Sequence, residues 1–364
     1  MKKITAWLLM VCLLTAALPA AAESAPKITE LTVHNGVVRF TTDRDITGYC
    51  FSKIDKIPAL DSYDWMDCSG TQQSVFKKDD TYYLFVRAGE SVGTSVQVEV
   101  TSPYYYGIDA EGLTPIEKLG ASDIMDIEAE NKRLYENVTE AGMYTREGVL
   151  TAALSLLTIF AEKGYAVRYQ GCGSYQQQDD WGINPDWGTK LVHPTQDGNG
   201  KYYYTGMQCV ASVVWAYKQA GINISNAGTG YKIGLVASRK KSGDNRIDYR
   251  KARGGDVIAN DAHYLMIVDR LDTDNDGVDD AFLTYEMKAP SLVLLVHTFK
   301  SIRYREIYNM DAVYENESRV VKRQRIFGET VYIPESYYPE ALLTAMESAD
   351  TRRTAHKLLY GFGF

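Results

Sequence analysis

Apolar and polar residues alternate along the first hundred positions of the chain. The stretch KITELTVHNGVVRFTTD, residues 27–43, follows a period of two and is broken by Asn35-Gly36, a dipeptide that favours a tight hairpin turn. The stretches DDTYYLFVRAGES and SVQVEV repeat the alternation further along. Several short strands in about 75 residues predict a small all-β sandwich over residues 26–101.

The pattern changes after residue 101. The stretch TSPYYYGIDAEGLTP places three consecutive tyrosines, Tyr104 to Tyr106, beside proline and glycine, as in a linker. Such tyrosines either stack on sugar rings or cover a junction between domains, and we favour the second interpretation. Residues 116–141 are rich in Glu, Lys and Ala and are predicted to be helical, so residues 102–144 are interpreted as a linker and helical connector.

A strong helix is predicted from TREGVLTAALSLLTIFAEKG, residues 145–164. Apolar positions recur at helical spacing, Thr145 is a good N-cap, Glu147 lies in the first turn and Gly164 ends the pattern. A long segment rich in Gly, Asp, Gln and Trp follows it. Loops of that length inside a domain are often functional.

The next predicted helix, QCVASVVWAYKQAG, carries a cysteine in its first turn. Apolar residues again recur at helical spacing, and Gly221 ends the pattern. Cys209 is a core residue, half of a disulfide, or a nucleophile. A core cysteine would more naturally lie in the middle of the apolar face. At a helix N-terminus unpaired amides and the helix dipole stabilise a thiolate, so a nucleophile is the favoured hypothesis.

A nucleophilic thiolate needs a base, and the chain has five histidines. His263 opens the predicted strand HYLMIVDRL, where its imidazole could face the start of a helix; an ordinary surface or core histidine is the alternative. The neighbouring strand AFLTYEMKAP would return Glu286 to the same place, on one face with Thr284 and Lys288. Glu286 is therefore expected either to orient the imidazole or to face solvent.

The N-terminus predicts export. Lys2 and Lys3 precede an apolar stretch, and Ala20 to Ala22 resemble a signal-peptidase site, so residues 1–22 are interpreted as a signal peptide. A retained membrane anchor is the alternative; the apolar stretch is short for a span, and no stable membrane span is expected after processing. We expect a secreted, extracellular or cell-envelope protein. A net charge of −8 over 364 residues argues against a nucleic-acid partner.

Four cysteines follow the predicted signal peptide: Cys50, Cys68, Cys172 and Cys209. An even number in an exported protein suggests disulfides, but sequence alone does not choose among the three pairings. A local Cys50–Cys68 bridge and four free thiols stay equally open. A Cys172–Cys209 disulfide would silence the proposed nucleophile or act as a redox latch.

The stretch DTDNDGVDD matches the front half of a calcium-binding loop. Asp272, Asp274 and Asp276 alternate and Gly277 follows them, but the twelfth position is Leu283 instead of a bidentate Glu. A structural calcium ion and a metal-free hairpin tip are both open, and no cofactor is required for the chemistry.

Four segments together resemble the NlpC family of bacterial cell-wall cysteine peptidases, with residues 145–312 as the peptidase domain and 313–364 as a C-terminal extension. They are TREGVLTAALSLL, YQGCG, GMQCVASVVWAYKQAGI and ARGGDVIANDAHYLMIVD. DITGYCFS and TYYLFVRAG resemble a bacterial Ig-like module. The resemblance implies an α+β fold in which a papain-like domain, an antiparallel sheet packed on helices, follows a small all-β Ig-like sandwich.

The resemblance implies hydrolysis of peptide bonds in peptidoglycan stem peptides, and we separately expect a monomer. By position, Cys209 is the nucleophile, His263 the base and Tyr169 the loop tyrosine near the active site. Trp181 and Trp187 would shape a substrate cleft, although packing aromatics are the preferred interpretation. The family's Ser-Gly-Phe after the cysteine is Val-Ala-Ser here, and the Asp before it is Gln, which puts substrate choice in doubt.

Two other functions stay open at the level of sequence. The altered residues around Cys209 are consistent with a non-catalytic protein that binds the cell wall or a surface partner. Glu286 at the third position is instead similar to the related CHAP amidases.

Overall fold

The protein is a mixed α+β structure, rich in antiparallel sheet and with few helices. The computed structural model describes residues 24–62, 64–108, 112–115, 125–169, 194–196, 202–204, 208–222, 238–241, 252–259, 263–302, 306–310, 314, 321–326 and 329–334. The predicted signal peptide, Cys172, Trp181 and Trp187 lie outside these residues. Among the described helices, none has the length and apolar character needed to cross a membrane.

The strands between residues 28 and 100 form two antiparallel sheets. Their strands are β1 (Ile28–His34), β2 (Val37–Thr42), β3 (Gly48–Ser52), β4 (Met66–Asp67), β5 (Gln72–Phe76), β6 (Asp80–Ala88), β7 (Ser91–Val92) and β8 (Val96–Val100). One sheet has the order β1-β2-β5; the other has the order β4-β3-β6-β7, and β8 also pairs with β6. Apolar side chains of both sheets share one core, which includes Val38 and Phe40 from the first and Leu84 and Val86 from the second.

The turn between β1 and β2 follows the predicted chemistry. Asn35 and Gly36 have φ angles of 47° and 82°, the left-handed values that a tight hairpin of this type requires and that Gly and Asn tolerate. Val37 then pairs with His34 across the hairpin. The strands predicted in this region are therefore confirmed at the level of individual elements.

The described residues in the middle of the chain include three helices. The elements are β9 (Thr114–Pro115), α1 (Ile127–Gly142), α2 (Arg146–Ala161), β10 (Tyr165–Ala166), β11 (Pro194–Gln196), β12 (Tyr202–Tyr204) and α3 (Cys209–Gln219). Thr145 caps α2 by accepting a hydrogen bond from the Gly148 amide at 3.1 Å, as its position predicts. α2 is buried along nearly its whole length, because it lies between α1 on one side and α3 on the other.

A six-stranded antiparallel sheet packs against these helices. Its strands are β13 (Ser238–Lys241), β14 (Val257–Ala259), β15 (Tyr264–Leu271), β16 (Ala281–Lys288), β17 (Ser291–Thr298) and β18 (Glu306–Asn309), and the short helix α4 (Phe299–Ile302) follows β17. The strand order is β13-β18-β14-β15-β16-β17, and every pairing is antiparallel. Leu283, Tyr285 and Met287 of β16 belong to the core that includes α2 and α3. The intervening Thr284 and Glu286 therefore lie on the other face of the strand.

The predicted C-terminal extension contributes to the described structure in two places. Strands β19 (Val321–Ile326) and β20 (Glu329–Pro334) form an antiparallel hairpin. Tyr314 stacks on Tyr217 of α3 with ring centroids 5.8 Å apart, and its hydroxyl donates to the Gly255 carbonyl. Tyr314 thus packs on the helix that begins at Cys209.

The first two sheets do not stand apart from the rest of the protein. Val37, Phe76 and Tyr104 belong to the same core as α2 and α3. Lys77 forms an ion pair of 2.6 Å with Asp269 of β15, and the Lys78 amide donates to the same carboxylate. Both side chains of the ion pair are almost fully buried. The N-terminal sheets are therefore anchored to the six-stranded sheet.

Cys50 and Cys68 do not form the disulfide that the sequence left open. Both are free thiols. Cys50 packs with Trp65 and Phe85, whereas Cys68 packs against the core between the two N-terminal sheets. Tyr49 and Phe51 occupy that core, so alternation along β3 directs Cys50 to the opposite face.

Candidate active site

Cys209 is the first residue of α3, as predicted. The Ser212 amide donates to the Gln208 carbonyl at 3.0 Å, and the Ser212 hydroxyl donates to the Cys209 carbonyl at 2.9 Å. At the other end of the helix Gly221 has a φ of 85°, and the Ile222 amide donates to the Tyr217 carbonyl. This pattern is a Schellman ending, so Gly221 ends α3 for the predicted reason.

His263 contacts both the thiol and a carboxylate. Its Nε2 lies 2.6 Å from Oε2 of Glu286, and a further hydrogen bond joins its side chain to that of Cys209. The hydrogen bond with Cys209, and then that with Glu286, raise the pKa of His263 to about 9, although burial opposes this shift. Sequence reasoning therefore identified two partners that the fold brings together.

Glu286 is placed beside His263 by strand register. Met266 pairs with Tyr285 and Ile267 with Thr284, so the next step of the register brings Leu265 opposite Glu286 and His263 diagonal to it. Glu286 is almost fully buried, with a side chain 2% exposed. Burial alone would raise its pKa, but hydrogen bonds and charge from His263 and His297 outweigh burial and lower the pKa to about 2.

The direction of the hydrogen bond fixes the roles of the imidazole nitrogens. A carboxylate with so low a pKa can only accept, so Nε2 of His263 donates its proton to Glu286. Nδ1 is then the nitrogen that faces Cys209 and can accept the thiol proton. The thiol, the imidazole and the carboxylate are thus joined in the order that is typical of a catalytic triad.

His297 is a fourth member that sequence reasoning missed. Its Nε2 lies 2.7 Å from Oε1 of Glu286, and the Thr284 hydroxyl lies 3.1 Å from the same oxygen. His297 pairs with Phe282 on β16, so alternation puts it on the face shared by Thr284 and Glu286. The alternation of side chains along SLVLLVH, residues 291–297, was the signal in the sequence that could have identified His297.

Tyr169 lies at the same end of the sheet as the triad. Its amide donates to the Pro290 carbonyl at 2.8 Å, in the β16–β17 hairpin that follows Glu286. Arg168 forms an isolated antiparallel β-bridge, through its backbone, with Ser291 of the same hairpin. The predicted substrate-binding residues Trp181 and Trp187 lie outside the described residues, and of Tyr202 to Tyr204 the structure gives only strand β12.

The acidic loop lies at the opposite end of β15 and β16. One ligand atom from each of Asp272, Asp274 and Asp276 lies within 4.8 Å of the others, so the three carboxylates could hold a metal ion. The amides of Asp276 and Gly277 donate to Asp272, which also explains the group as a self-contained turn. Leu283 is inside β16 and supplies no twelfth ligand.

Comparison with known proteins assigns no family. No family model matches the sequence, and neither a curated protein nor a solved structure matches it. The functional inference therefore depends on the residues and geometry of the site itself.

Proposed function

We propose that this protein is an exported cysteine hydrolase that cleaves amide bonds in peptides of the bacterial cell wall. One observation carries the proposal: the imidazole of His263 contacts the Cys209 side chain and the buried Glu286 carboxylate. A packed core cysteine would have no need of a base oriented by a buried carboxylate. Export is inferred from residues 1–22, which lie outside the described residues.

The proposed reaction is acyl transfer in two steps. Cys209 transfers its proton to Nδ1 of His263, and the start of α3 and the resulting imidazolium both stabilise the thiolate. The sulfur attacks the substrate carbonyl, and the Cys209 amide helps to bind the oxyanion. His263 then protonates the leaving amine as the C–N bond breaks. Water, deprotonated by His263, hydrolyses the thioester and restores the thiol.

We also propose a papain-like arrangement for α3 and the six-stranded sheet, and an Ig-like arrangement for the N-terminal sheets. The motifs that resemble the NlpC family support the first interpretation. A helix that carries the nucleophile at its start and packs on an antiparallel sheet carrying the base is consistent with it.

Glu286 keeps a second function open, a CHAP-like amidase that separates the stem peptide from the sugar. The contact of 2.6 Å between Glu286 and His263 favours this candidate, because its third residue is a carboxylate. The two candidates share the chemistry at Cys209 and differ in the bond that they cut.

Digestion of purified peptidoglycan tests the proposal. The full chain, Cys209→Ala and Cys68→Ala are compared, and released fragments are identified by mass spectrometry. Cys68 is a matched control, because it is a free and partly buried thiol outside the site. We expect fragments from the first and third proteins and none from Cys209→Ala.

The identity of the fragments separates the candidates. Cuts within the stem peptide support the peptidase, and intact stem peptides freed from sugar support the amidase. Fragments from none of the proteins would contradict the hydrolase and favour a non-catalytic binding protein. Equal release by Cys209→Ala would contradict the role of Cys209 as the nucleophile.

The acidic loop is proposed, separately, as a structural calcium site. Calcium bound to the folded state alone raises the melting temperature. We expect calcium chloride to raise the melting temperature of the wild type and not that of Asp274→Asn. Equal responses from the two proteins would leave the loop as a metal-free turn.

A further inference from the structure

The Glu286 carboxylate uses its two oxygens for different purposes. Oε2 accepts from His263, while Oε1 faces His297 at 2.7 Å and the Thr284 hydroxyl at 3.1 Å. Rotation of the carboxylate would break the contact with His263. Whatever holds Oε1 in place therefore also directs Oε2 towards the base.

His297 and Thr284 are not equivalent in holding Oε1. The Thr284 hydroxyl lies 3.1 Å from the Leu295 carbonyl as well as 3.1 Å from Oε1. A hydroxyl has one proton and can donate to one of these acceptors at a time. The Nε2 proton of His297 is within reach of Oε1 in either case, at the shorter distance of 2.7 Å.

We propose that His297 is a positioning residue that holds the Glu286 carboxylate against His263, so that the site is a relay of four groups and not three. This inference rests on the proposed function and extends it. His297 touches neither the nucleophile nor the reacting atoms in this scheme. It acts by fixing the carboxylate that orients the base.

The titratable groups around the relay come from four elements. Cys209 at the start of α3 faces His263, which precedes β15; Glu286 belongs to β16 and His297 to β17. Among the described residues, Cys209 and Glu286 are the groups that shift the pKa of His263, and the two histidines are those that lower the pKa of Glu286. A change at His297 should therefore reach His263 through Glu286.

The test follows the rate at which iodoacetamide alkylates Cys209 as a function of pH. The modified peptide is quantified by mass spectrometry, so that Cys50 and Cys68 do not interfere. The upper inflection of the profile reports deprotonation of the imidazolium in the thiolate–imidazolium pair. In His297→Ala, we expect that inflection to fall by about one pH unit, because the carboxylate is free to leave His263.

The variant His297→Gln separates the positioning role of the His297 hydrogen bond from effects of side-chain size and charge. Gln can donate an N–H to Oε1 but does not titrate, so His297→Gln should keep the upper inflection within a few tenths of a unit of the wild type. An upward shift of the inflection in His297→Ala would mean that His297 repels the charge on His263. An unchanged inflection would mean that His297 and His263 are not coupled. Either result overturns the proposal. Equal shifts in the Ala and Gln variants would also overturn it.

Two further variants complete the design. Thr284→Val removes a hydroxyl that can donate either to Oε1 of Glu286 or to the Leu295 carbonyl, and it should shift the inflection less than His297→Ala does. His34→Ala removes an exposed histidine that contacts Glu140 at 2.8 Å far along the chain, and it should leave the profile unchanged. A larger effect from Thr284→Val than from His297→Ala would assign the positioning role to Thr284 instead.

Failure of this inference differs from failure of the proposed function. If wild-type Cys209 reacts as an ordinary thiol, with no inflection below neutral pH, the catalytic proposal itself is wrong. If Cys209 reacts as a thiolate in mildly acid solution and His297→Ala has the same profile, the hydrolase proposal stands and only the role of His297 is lost. In hydrolysis, His297→Ala should lower kcat about tenfold and leave KM unchanged.

Discussion

Replacing Glu286 by Gln should lower the pKa of His263 by about one unit. The substitution keeps the shape of the side chain and an acceptor oxygen but removes the negative charge. In the folded protein the pKa of His263 rises from 6.5 to about 9, which favours the imidazolium by an energy on the order of 3 kcal/mol. Cys209 supplies the largest contribution to this preference and Glu286 the next, so loss of the carboxylate charge should remove on the order of 1 kcal/mol of it.

Nuclear magnetic resonance measures this effect directly. The chain has five histidines, so their Cε1 protons give a small set of signals, and His263 is assigned from the signal that His263→Gln removes. In the wild type this signal should titrate near pH 9, and in Glu286→Gln about one unit lower. Glu140→Gln, which alters an exposed His–Glu contact, serves as the control. A His263 signal that titrates near 6.5 in both the wild type and Glu286→Gln would refute the reasoning.

Three other predictions concern stability. Folding raises the pKa of His263 and lowers that of Glu286, so the pair should contribute fully to the free energy of unfolding between about pH 4.5 and 6.5. The contribution of Glu286 should be lost as the pH falls through about 2, and that of His263 as the pH rises through about 9. Urea unfolding across this pH range tests the prediction, and a contribution that is unchanged at pH 9 would contradict it. Lys77→Ala removes the ion-pair partner of the buried Asp269 carboxylate and should lower the free energy of unfolding in urea by about 3 kcal/mol. Lys132→Ala, at an exposed ion pair, should lower it by less than about 0.5 kcal/mol. Similar losses in the two variants would refute the importance of the buried ion pair. Gly221→Ala should lower the free energy of unfolding by about 1–3 kcal/mol, because φ is 85° there and a Cβ would meet the Tyr144 ring; an unchanged thermal melt would contradict this.

Local rules explain the features that the sequence predicted well. The Asn35-Gly36 turn, the Thr145 cap and the helix that begins at Cys209 each depend on residues a few positions apart. The pairing of His263 with Glu286 spans 23 residues, but a single hairpin register determines it. In these cases the chemistry of a short segment and the period of its element are enough.

The features that sequence reasoning missed or misjudged depend on which face of a strand a side chain takes, or on distant contacts. Sequence reasoning did not single out His297, although its position along β17 places it on the same face of the sheet as Glu286. A Cys50–Cys68 disulfide stayed open until the structure showed the two thiols in different clusters. The contact between Lys77 and Asp269 joins residues 192 positions apart, which no local pattern encodes.

That long-range ion pair also affects the order in which the protein can fold. The N-terminal sheets have their own core and can collapse as soon as residues 24–101 are available. Val37 and Phe76 of these sheets pack with Tyr104 and α2, which follow soon after them in the chain, whereas Lys77 has its ion-pair partner only once Asp269 of β15 is present. The two residues lie 192 positions apart, so this ion pair can form only after most of the chain has been made. A folding defect, and not a change in the geometry around Cys209, is therefore the expected first consequence of mutations at Lys77.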